Sequence, residues 1–317
     1  MKQADTQKRP TPSLSVVIPA FNEEENIDHI VKKLLETISK YDHEIIFVND
    51  GSRDETEAKI ESVCKKNKNV KLVSFVKNYG HQYALSAGYA NCQNQVVVTI
   101  DADLQDPPEL ITEMIDLWKD GYDIVYGRRK ERHEGFFKKI TASGFYRLMN
   151  MMSDTRIPNQ VGDFRLLDKT VVKVLNDLPE KSRFWRGLVP WTGFKSTYVD
   201  FDRPNRLYGS TQYPFSKMMN FALNGIVDFS TKPLRFASYL GIASCGLGFL
   251  GIFYALARRF LFPHDYWVTG WTALFVAVMF FGGVQLLTIG IIGEYIGKIY
   301  RAVQDRPAYL VKKRVNI

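Results

Sequence analysis

Two uncharged runs near the C-terminus constrain this chain more than any other feature. Phe236–Ala257 runs 22 residues, FASYLGIASCGLGFLGIFYALA, without Asp, Glu, Lys or Arg, and Trp267–Ile292 runs 26 more. At 1.5 Å per residue, about 20 apolar residues cross the hydrocarbon core of a bilayer, and both runs are long enough. Core helices of soluble proteins seldom run this far without a charge, so two membrane spans are expected rather than a pair of buried helices. Glycines recur through both runs, Gly246, Gly248, Gly282 and Gly283 among them, and suit close helix packing in lipid. The mean hydropathy of the whole 317-residue chain, −0.18, conceals this division by averaging over it.

Only Arg258–Tyr266 separates the runs, so they should form a helical hairpin with both chain ends on one side. Lys217, Lys232 and Arg235 precede the hairpin, and Lys298, Arg301, Arg306, Lys312, Lys313 and Arg314 follow it. The connecting loop has only Arg258 and Arg259. Basic residues gather on the cytoplasmic side, which places both termini there and makes the chain an integral protein of the cell (inner) membrane. The N-terminal dozen or so residues are polar with no apolar stretch, so no secretory signal peptide is expected. Three cysteines, Cys64, Cys92 and Cys245, lie far apart and form no CxxC, which excludes a disulfide scaffold and gives no sign of a zinc site.

Before the hairpin, strands alternate with helices. Leu14–Ala20, Glu44–Asp50, Val70–Val76, Gln95–Asp101 and Tyr122–Gly127 read as strands. Asn22–Ser39 reads as a helix whose apolar stripe holds Ile27, Ile30, Val31, Leu34, Leu35 and Ile38, and His81–Cys92 as another. Such alternation predicts an α/β domain with a mostly parallel sheet covered on both faces. Ligands of these sheets bind at the carboxyl ends of the strands. Those ends are polar or acidic here: Pro19-Ala20-Phe21-Asn22-Glu23, Asn49-Asp50-Gly51-Ser52 and Asp101-Ala102-Asp103-Leu104-Gln105. A GxGxxG after the first strand and a GxxxxGK[ST] are both absent, which argues against a dinucleotide oxidoreductase and a P-loop NTPase.

Asp101 and Asp103 flank one residue at a strand end, where alternate side chains point the same way. Two carboxylates side by side repel unless a cation lies between them. Mg²⁺ or Mn²⁺ on a substrate diphosphate fits, because Mg²⁺ commonly takes one or two carboxylates plus phosphate oxygens, and Gln105 offers a further oxygen. An ordinary turn or helix cap is the plainer reading. Asp50 and Glu23 are the other strand-end acids, suited either to a nucleobase and ribose or simply to turn chemistry.

Together these segments resemble a family-2 glycosyltransferase with a GT-A type (Rossmann-like) nucleotide-sugar domain. The carrying motifs are VVIPAFNEEENI (Val16–Ile27), VNDGSRDET (Val48–Thr56), NYGHQYALSAG (Asn78–Gly88), DADLQDPPELI (Asp101–Ile111), GDFRLLD (Gly162–Asp168) and RFWRGL (Arg183–Leu188), followed by RLYGSTQY, FALNGI, the two spans and RPAYLV (Arg306–Val311). The resemblance is greatest to the polyprenyl-phosphate branch, which includes bactoprenol glucosyltransferases and dolichyl-phosphate mannose synthases, and the hairpin favours the glucosyl type.

That resemblance implies inverting transfer of a sugar, glucose from UDP-glucose, to undecaprenyl phosphate. The nearest alternative is mannose from GDP-mannose to a dolichyl or polyprenyl phosphate; a non-catalytic membrane scaffold is the reading of a different class. Pro19, Phe21, Glu23, Val48 and Asp50 match nucleoside-binding positions. Asp101, Asp103 and Gln105 match the metal and diphosphate positions, with Ala102 against the nucleotide. Asp163 matches the position assigned as catalytic base. A lipid phosphate is already an anion, so Asp163 has the alternatives of positioning the acceptor or stabilising positive character on the sugar. Arg129, Arg206 and Gln212 match phosphate-holding positions. Gln212 departs from the family pattern, which has a cation there, and Lys217 is a nearby substitute.

The expected organisation is a cytosolic catalytic domain over 1–212, an interfacial amphipathic segment over 213–235, two spans over 236–257 and 267–292, and a cytosolic tail over 293–317. The net charge of +8 lies in two segments, Arg128–Lys139 and Gly293–Ile317, both expected near anionic headgroups. Residues from Phe137 to Met152 form an apolar helix face suited either to the headgroup layer or to packing on the domain. The implied partners are a nucleotide-sugar donor, a polyprenyl phosphate lipid and the membrane. The resemblance also implies a homo-oligomer, a tetramer being one form; no nucleic acid is expected.

Overall fold

A computed structural model describes residues 8–130, 160–181, 183–202, 231–261 and 271–317. The chain divides into two compact units, one of residues 1–146, 155–214 and 307–317, the other of 147–154 and 215–306.

The first unit is a mixed, mostly parallel α/β sheet. Its elements are β1 (Leu14–Ala20), α1 (Ile27–Ile38), β2 (His43–Asn49), α2 (Thr56–Lys66), β3 (Val70–Phe75), α3 (His81–Asn91), β4 (Val96–Thr99), α4 (Leu110–Lys119), β5 (Ile124–Arg129), β6 (Val161–Asp168), α5 (Lys169–Asp177), α6 (Trp185–Trp191) and β7 (Ser196–Phe201). The strands lie in the order β7-β5-β6-β4-β1-β2-β3-β8, where β8 is Val311–Val315. β1 runs parallel to β2 and β4, β2 to β3, and β5 to β7, while β6 and β8 run antiparallel to their neighbours.

Both faces are buried, as the continuous apolar strands require. Val16, Ile18, Ile45 and Phe47 face a core shared with α1, α2 and α4. Ile46, Val48 and Val73, on the other face, pack with Ala84 and Ala87 of α3. A Cβ at Gly88 would stand 2.2 Å from Val17 Cγ1, so glycine lets α3 lie directly on β1.

Three strands escape the sequence reading. β6 alternates apolar residues with Asp163 and Arg165, which look like a solvent face and are in fact buried. β7 and β8 are edge strands, and in β8 (VKKRV) the charges hide the pattern. The tail thus ends as a strand on β3, where Lys312 reaches Glu57 at 3.1 Å, Lys313 reaches Glu61 at 2.6 Å, and Asn316 donates to the Cys64 and Val70 carbonyls. At the other basic segment, Arg128 pairs with Asp200 and Lys130 with Asp202. These cations answer acids of their own unit. α1 also starts later than Asn22, because Asn22 adopts φ +54° in a turn.

The second unit contains α7 (Lys232–Leu261) and α8 (Trp271–Val303), packed on each other with Gly248 close to the Phe281 ring. Both helices are long and apolar enough to cross a membrane. Their large apolar side chains lie at the surface; Phe253 is 73% exposed and Leu286 72%. α8 continues past Ile292 through Glu294, Lys298 and Arg301, because charges end an apolar run without ending a helix. Most of the expected interfacial segment and the apolar face from Phe137 to Met152 lie outside the described residues.

Candidate active site

The carboxyl ends of β1 and β2 are bound into one rim. Pro19 and Val48, buried, are register partners there. The Ser52 hydroxyl accepts from the Asn22 N–H at 3.0 Å, Asn22 Oδ1 accepts from the Arg53 N–H at 2.9 Å, and the Glu23 N–H donates to Thr56 Oγ1 at 2.9 Å. Gly51 turns the chain at φ +65°, and a Cβ there would come within 2.3 Å of the Lys77 carbonyl carbon, so only glycine fits. Glu23 accepts from Asn26 Nδ2 at 2.6 Å. Phe21, just beyond β1, is partly exposed.

Asp50 is buried, and its two oxygens accept the N–H groups of Tyr79 at 2.7 Å and Gly80 at 2.9 Å. Burial raises its pKa, and the amide hydrogen bonds offset this only in part. The carboxylate thereby fixes the loop that enters α3, whose first residue is His81.

At the end of β4, Asp101 is partly exposed, whereas Ala102, Asp103 and Gln105 are buried. Leu104 takes φ +57°, and Asp103 Oδ1 accepts the Gln105 N–H at 3.1 Å, so the turn folds back on its own carboxylate. Desolvation and the charges of Asp163 and Asp103 raise the pKa of Asp101.

The strand register explains why Asp163 belongs here. β4 and β6 pair Val97 with Leu167, Val98 with Leu166 and Thr99 with Arg165. Continued by two residues, that antiparallel register brings Asp163 opposite Asp101. Asp163 is 2% exposed and lies among two arginines and a histidine. Arg165 Nη2 donates to Oδ1 at 2.5 Å. Arg186 donates to Oδ2 from Nη2 at 2.8 Å and from Nε at 3.2 Å. His81 Nε2 lies 3.2 Å from the same oxygen and 3.9 Å from Asp101 Oδ1. Burial alone would raise the Asp163 pKa, but Arg186, His81 and Arg165 outweigh it and hold the pKa well below the aspartate value. Desolvation works against a charged His81, yet Asp163 and Asp101 raise its pKa overall.

The cations are held from behind. Arg165, fully buried, also donates to the Trp185 carbonyl at 3.2 Å. The Trp185 indole donates to the Gln82 carbonyl at 2.9 Å and stands edge-on to Tyr89. This pins the start of α6 and so places Arg186.

Of the residues expected from sequence, Asp101 and Asp163 meet on one edge. Pro19, Phe21, Glu23, Val48 and Asp50 line the β1–β2 stretch of the same edge. Arg129 lies 3.6 Å from buried Asp106. Arg206 and Gln212 fall outside the described residues. His81, Arg165 and Arg186 were missed as site residues. The signal was available for two of them: Arg165 is two residues after Asp163, on the same strand face, and His81 opens a helix at the sheet's carboxyl edge.

A family model for glycosyl transferase family 2 matches residues 15–175. This chain is 47% identical to the uncharacterized glycosyltransferase YkcC of Bacillus subtilis, over 96% of this chain and 94% of that protein. It is also 40% identical to the SfII prophage-derived bactoprenol glucosyl transferase of Shigella flexneri, over 95% of this chain and 97% of that one. The chain belongs to glycosyl transferase family 2. A solved glucosyl-3-phosphoglycerate synthase from Mycobacterium tuberculosis, in complex with Mn²⁺ and UDP-glucose, aligns at 17% identity and a TM-score of 0.47 over 68% of this chain and 77% of that one. That likeness is too distant to bear on function.

The chemistry of this family 2 glycosyltransferase can be read from its donor set. Among the described residues no three His, Cys, Asp or Glu side chains are grouped to hold a metal unaided. Asp101 and Asp103 instead offer two carboxylates at one strand end, where desolvation, then the charges of Asp163 and Asp103, raise the pKa of Asp101. That is the donor set of a divalent ion completed by substrate phosphates, so the residues fit one.

Proposed function

We propose that this glycosyltransferase moves glucose from UDP-glucose to the phosphate of a polyprenyl lipid such as undecaprenyl phosphate (bactoprenol phosphate), with inversion, at the cytoplasmic face of a membrane crossed by α7 and α8. The observation that carries this reading is the reach of the likeness. At 40% identity it runs through 95% of the chain, helices α7 and α8 included, in a relative named for a lipid acceptor. The exposed apolar side chains of those helices favour lipid surroundings over a place in a soluble core. The flanking basic residues favour a cytoplasmic catalytic unit.

Pro19, Phe21, Glu23, Val48 and Asp50 form the nucleoside side of the site, and Ala102 closes on the nucleotide. Asp101 and Asp103, with Gln105, hold Mg²⁺ or Mn²⁺. When bound, the ion offsets the charge that grows on the leaving diphosphate. From the family resemblance we assign phosphate oxygens to Arg129, Arg206 and Gln212. A phosphate oxygen of the acceptor attacks C1 of the sugar with a lone pair from the face opposite the diphosphate. The C1–O bond to the diphosphate breaks, and its electron pair leaves with the nucleoside diphosphate. An acceptor phosphate monoester is ionised at neutral pH, so no proton has to be removed. Asp163, with its depressed pKa, would in any case be a weak base.

The test is a donor panel: full-length protein with Mg²⁺ or Mn²⁺, undecaprenyl phosphate, and UDP-glucose, UDP-GlcNAc or GDP-mannose in turn. Lipid-linked glucose is expected from UDP-glucose. Mannolipid from GDP-mannose alone would overturn the donor, and no lipid-linked sugar from any donor would overturn the function.

A further inference from the structure

The chain re-enters the first unit at Pro307, after its two long helices. Because β8 runs antiparallel to β3, its first residues lie at the carboxyl end of β3, on the edge where the site is built. The register slips by one residue between Ser74 and Phe75, so that Val311 rather than Lys312 stands opposite Phe75. Just beyond, the Leu310 carbonyl accepts the Val76 N–H at 3.1 Å. The Tyr309 ring stacks on buried Phe75, with centroids 4.7 Å and planes 24° apart, and Tyr79 stands edge-on to the same Phe75 ring at 5.7 Å.

We propose that this returning tail is a working part of the donor site, with Tyr309 as a positioning residue that holds the Val76–Gly80 loop against Asp50 and Gly51. This rests on the functional reading given above, which puts the nucleoside at the β1–β2 rim. The loop is gripped from two sides. From β2, buried Asp50 takes the N–H groups of Tyr79 and Gly80 on its two oxygens, and Gly51 turns directly against the Lys77 backbone. From β8, the tail supplies the Leu310 carbonyl and the Tyr309 ring. Tyr79 thus has its backbone on Asp50 and its ring in the cluster with Phe75, against which Tyr309 and Val311 also pack. Removing the Tyr309 ring uncovers Phe75 and takes one wall from the loop, so the two amides lose their fixed place at Asp50. Coupling of this kind is reciprocal: a docked tail favours the nucleotide, and bound nucleotide favours the docked tail.

The experiment separates the two substrates. Initial rates are measured for the full-length protein with UDP-glucose and undecaprenyl phosphate varied independently, in wild type, Tyr309→Ala and Tyr309→Phe. Mn²⁺-dependent UDP binding is followed in parallel. Tyr309→Ala should raise the donor KM and weaken UDP binding about five- to tenfold, the effect of losing one aromatic pair, while the acceptor KM stays within about twofold of wild type. Tyr309→Phe keeps the ring and should recover most of the affinity. An unmoved donor KM in Tyr309→Ala would overturn the proposal. So would donor and acceptor KM values that rise together, the mark of a general loosening. If Tyr309→Ala does not fold, hydrogen–deuterium exchange of the wild type decides: UDP with Mn²⁺ should slow exchange in peptides covering 76–80 and 309–315, and a tail whose exchange is unchanged by UDP would refute the coupling. Failure of the functional reading shows separately, as wild-type protein that transfers no sugar to the lipid.

Discussion

Asp50 and Asp163 are both buried carboxylates on the same edge of one sheet, yet their pKa values move in opposite directions. Asp50 is stabilised by two backbone amides, Asp163 by Arg165, Arg186 and His81. Burial penalises both. Neutral donors recover only part of that penalty, whereas full positive charges in a low-dielectric setting exceed it. The two acids therefore do different work. Asp50 shapes a loop. Asp163 is a fixed negative charge that draws Arg165, Arg186 and His81 together around it.

The largest effect expected from this contrast is at Asp163. Asp163→Asn keeps the shape but leaves buried Arg165 without its counter-charge, a loss of about 3–5 kcal/mol. The melting temperature of the full-length protein in detergent should fall on the order of 10 °C. An unchanged melting point would mean that the cluster contributes little to the fold. Asp103→Ala comes next, and its effect is on binding. Mn²⁺-dependent UDP affinity should fall about a hundredfold, equivalent to about 2.7 kcal/mol. Equal affinity in wild type and variant would remove Asp103 from the metal site.

Much of this was legible in the sequence, for a physical reason. β1 to β5 are apolar runs or follow turn residues, so composition alone marks them. Asp101 and Asp103 could be paired from their spacing at a strand end. The cationic cluster could not be found this way. Arg165 is buried only because Asp163 is buried with it, and a strand bearing both looks like a solvated one. Arg186 joins the site through the packing of Trp185 on Gln82, which is more than a hundred residues away in sequence. Proximity of that kind is produced by the fold and leaves no local periodicity. β8 was hidden by its own lysines, the charges that guard a sheet edge.

A smaller effect is expected at Asp50. Asp50→Asn keeps one acceptor and turns an NH₂ toward a backbone N–H, which costs about 1–3 kcal/mol. The same melting assay should show a fall of a few degrees, less than for Asp163→Asn. The reverse order would break the comparison. Acid titration sharpens it. Stability from Asp163 is fully present above the unfolded aspartate pKa and is lost as pH falls through its lower folded value. Stability linked to Asp50 has the opposite sign: it is present below the unfolded pKa and is lost as pH rises through the raised folded value. In the metal-free protein, Asp163→Asn should flatten the loss of melting temperature on acidification and Asp50→Asn should steepen it. Equal slopes in the two variants would contradict the opposed shifts.

The smallest effect belongs to an ion pair with better geometry than most in the protein. Arg128 grips Asp200 with two parallel hydrogen bonds, 2.5 Å from Nε and 2.8 Å from Nη2, and each partner shifts the other's pKa in the direction expected of a pair. Both groups are exposed. Water solvates them nearly as well apart as together, and salt screens what attraction is left. Asp200→Asn should therefore leave the melting temperature unchanged at moderate ionic strength, although it removes a bidentate contact. A fall as large as that of Asp50→Asn would mean that geometry decides the strength of these pairs. No change would mean that burial decides it, and that the ionic contacts of Asp163 stabilise the fold because they are made out of reach of water.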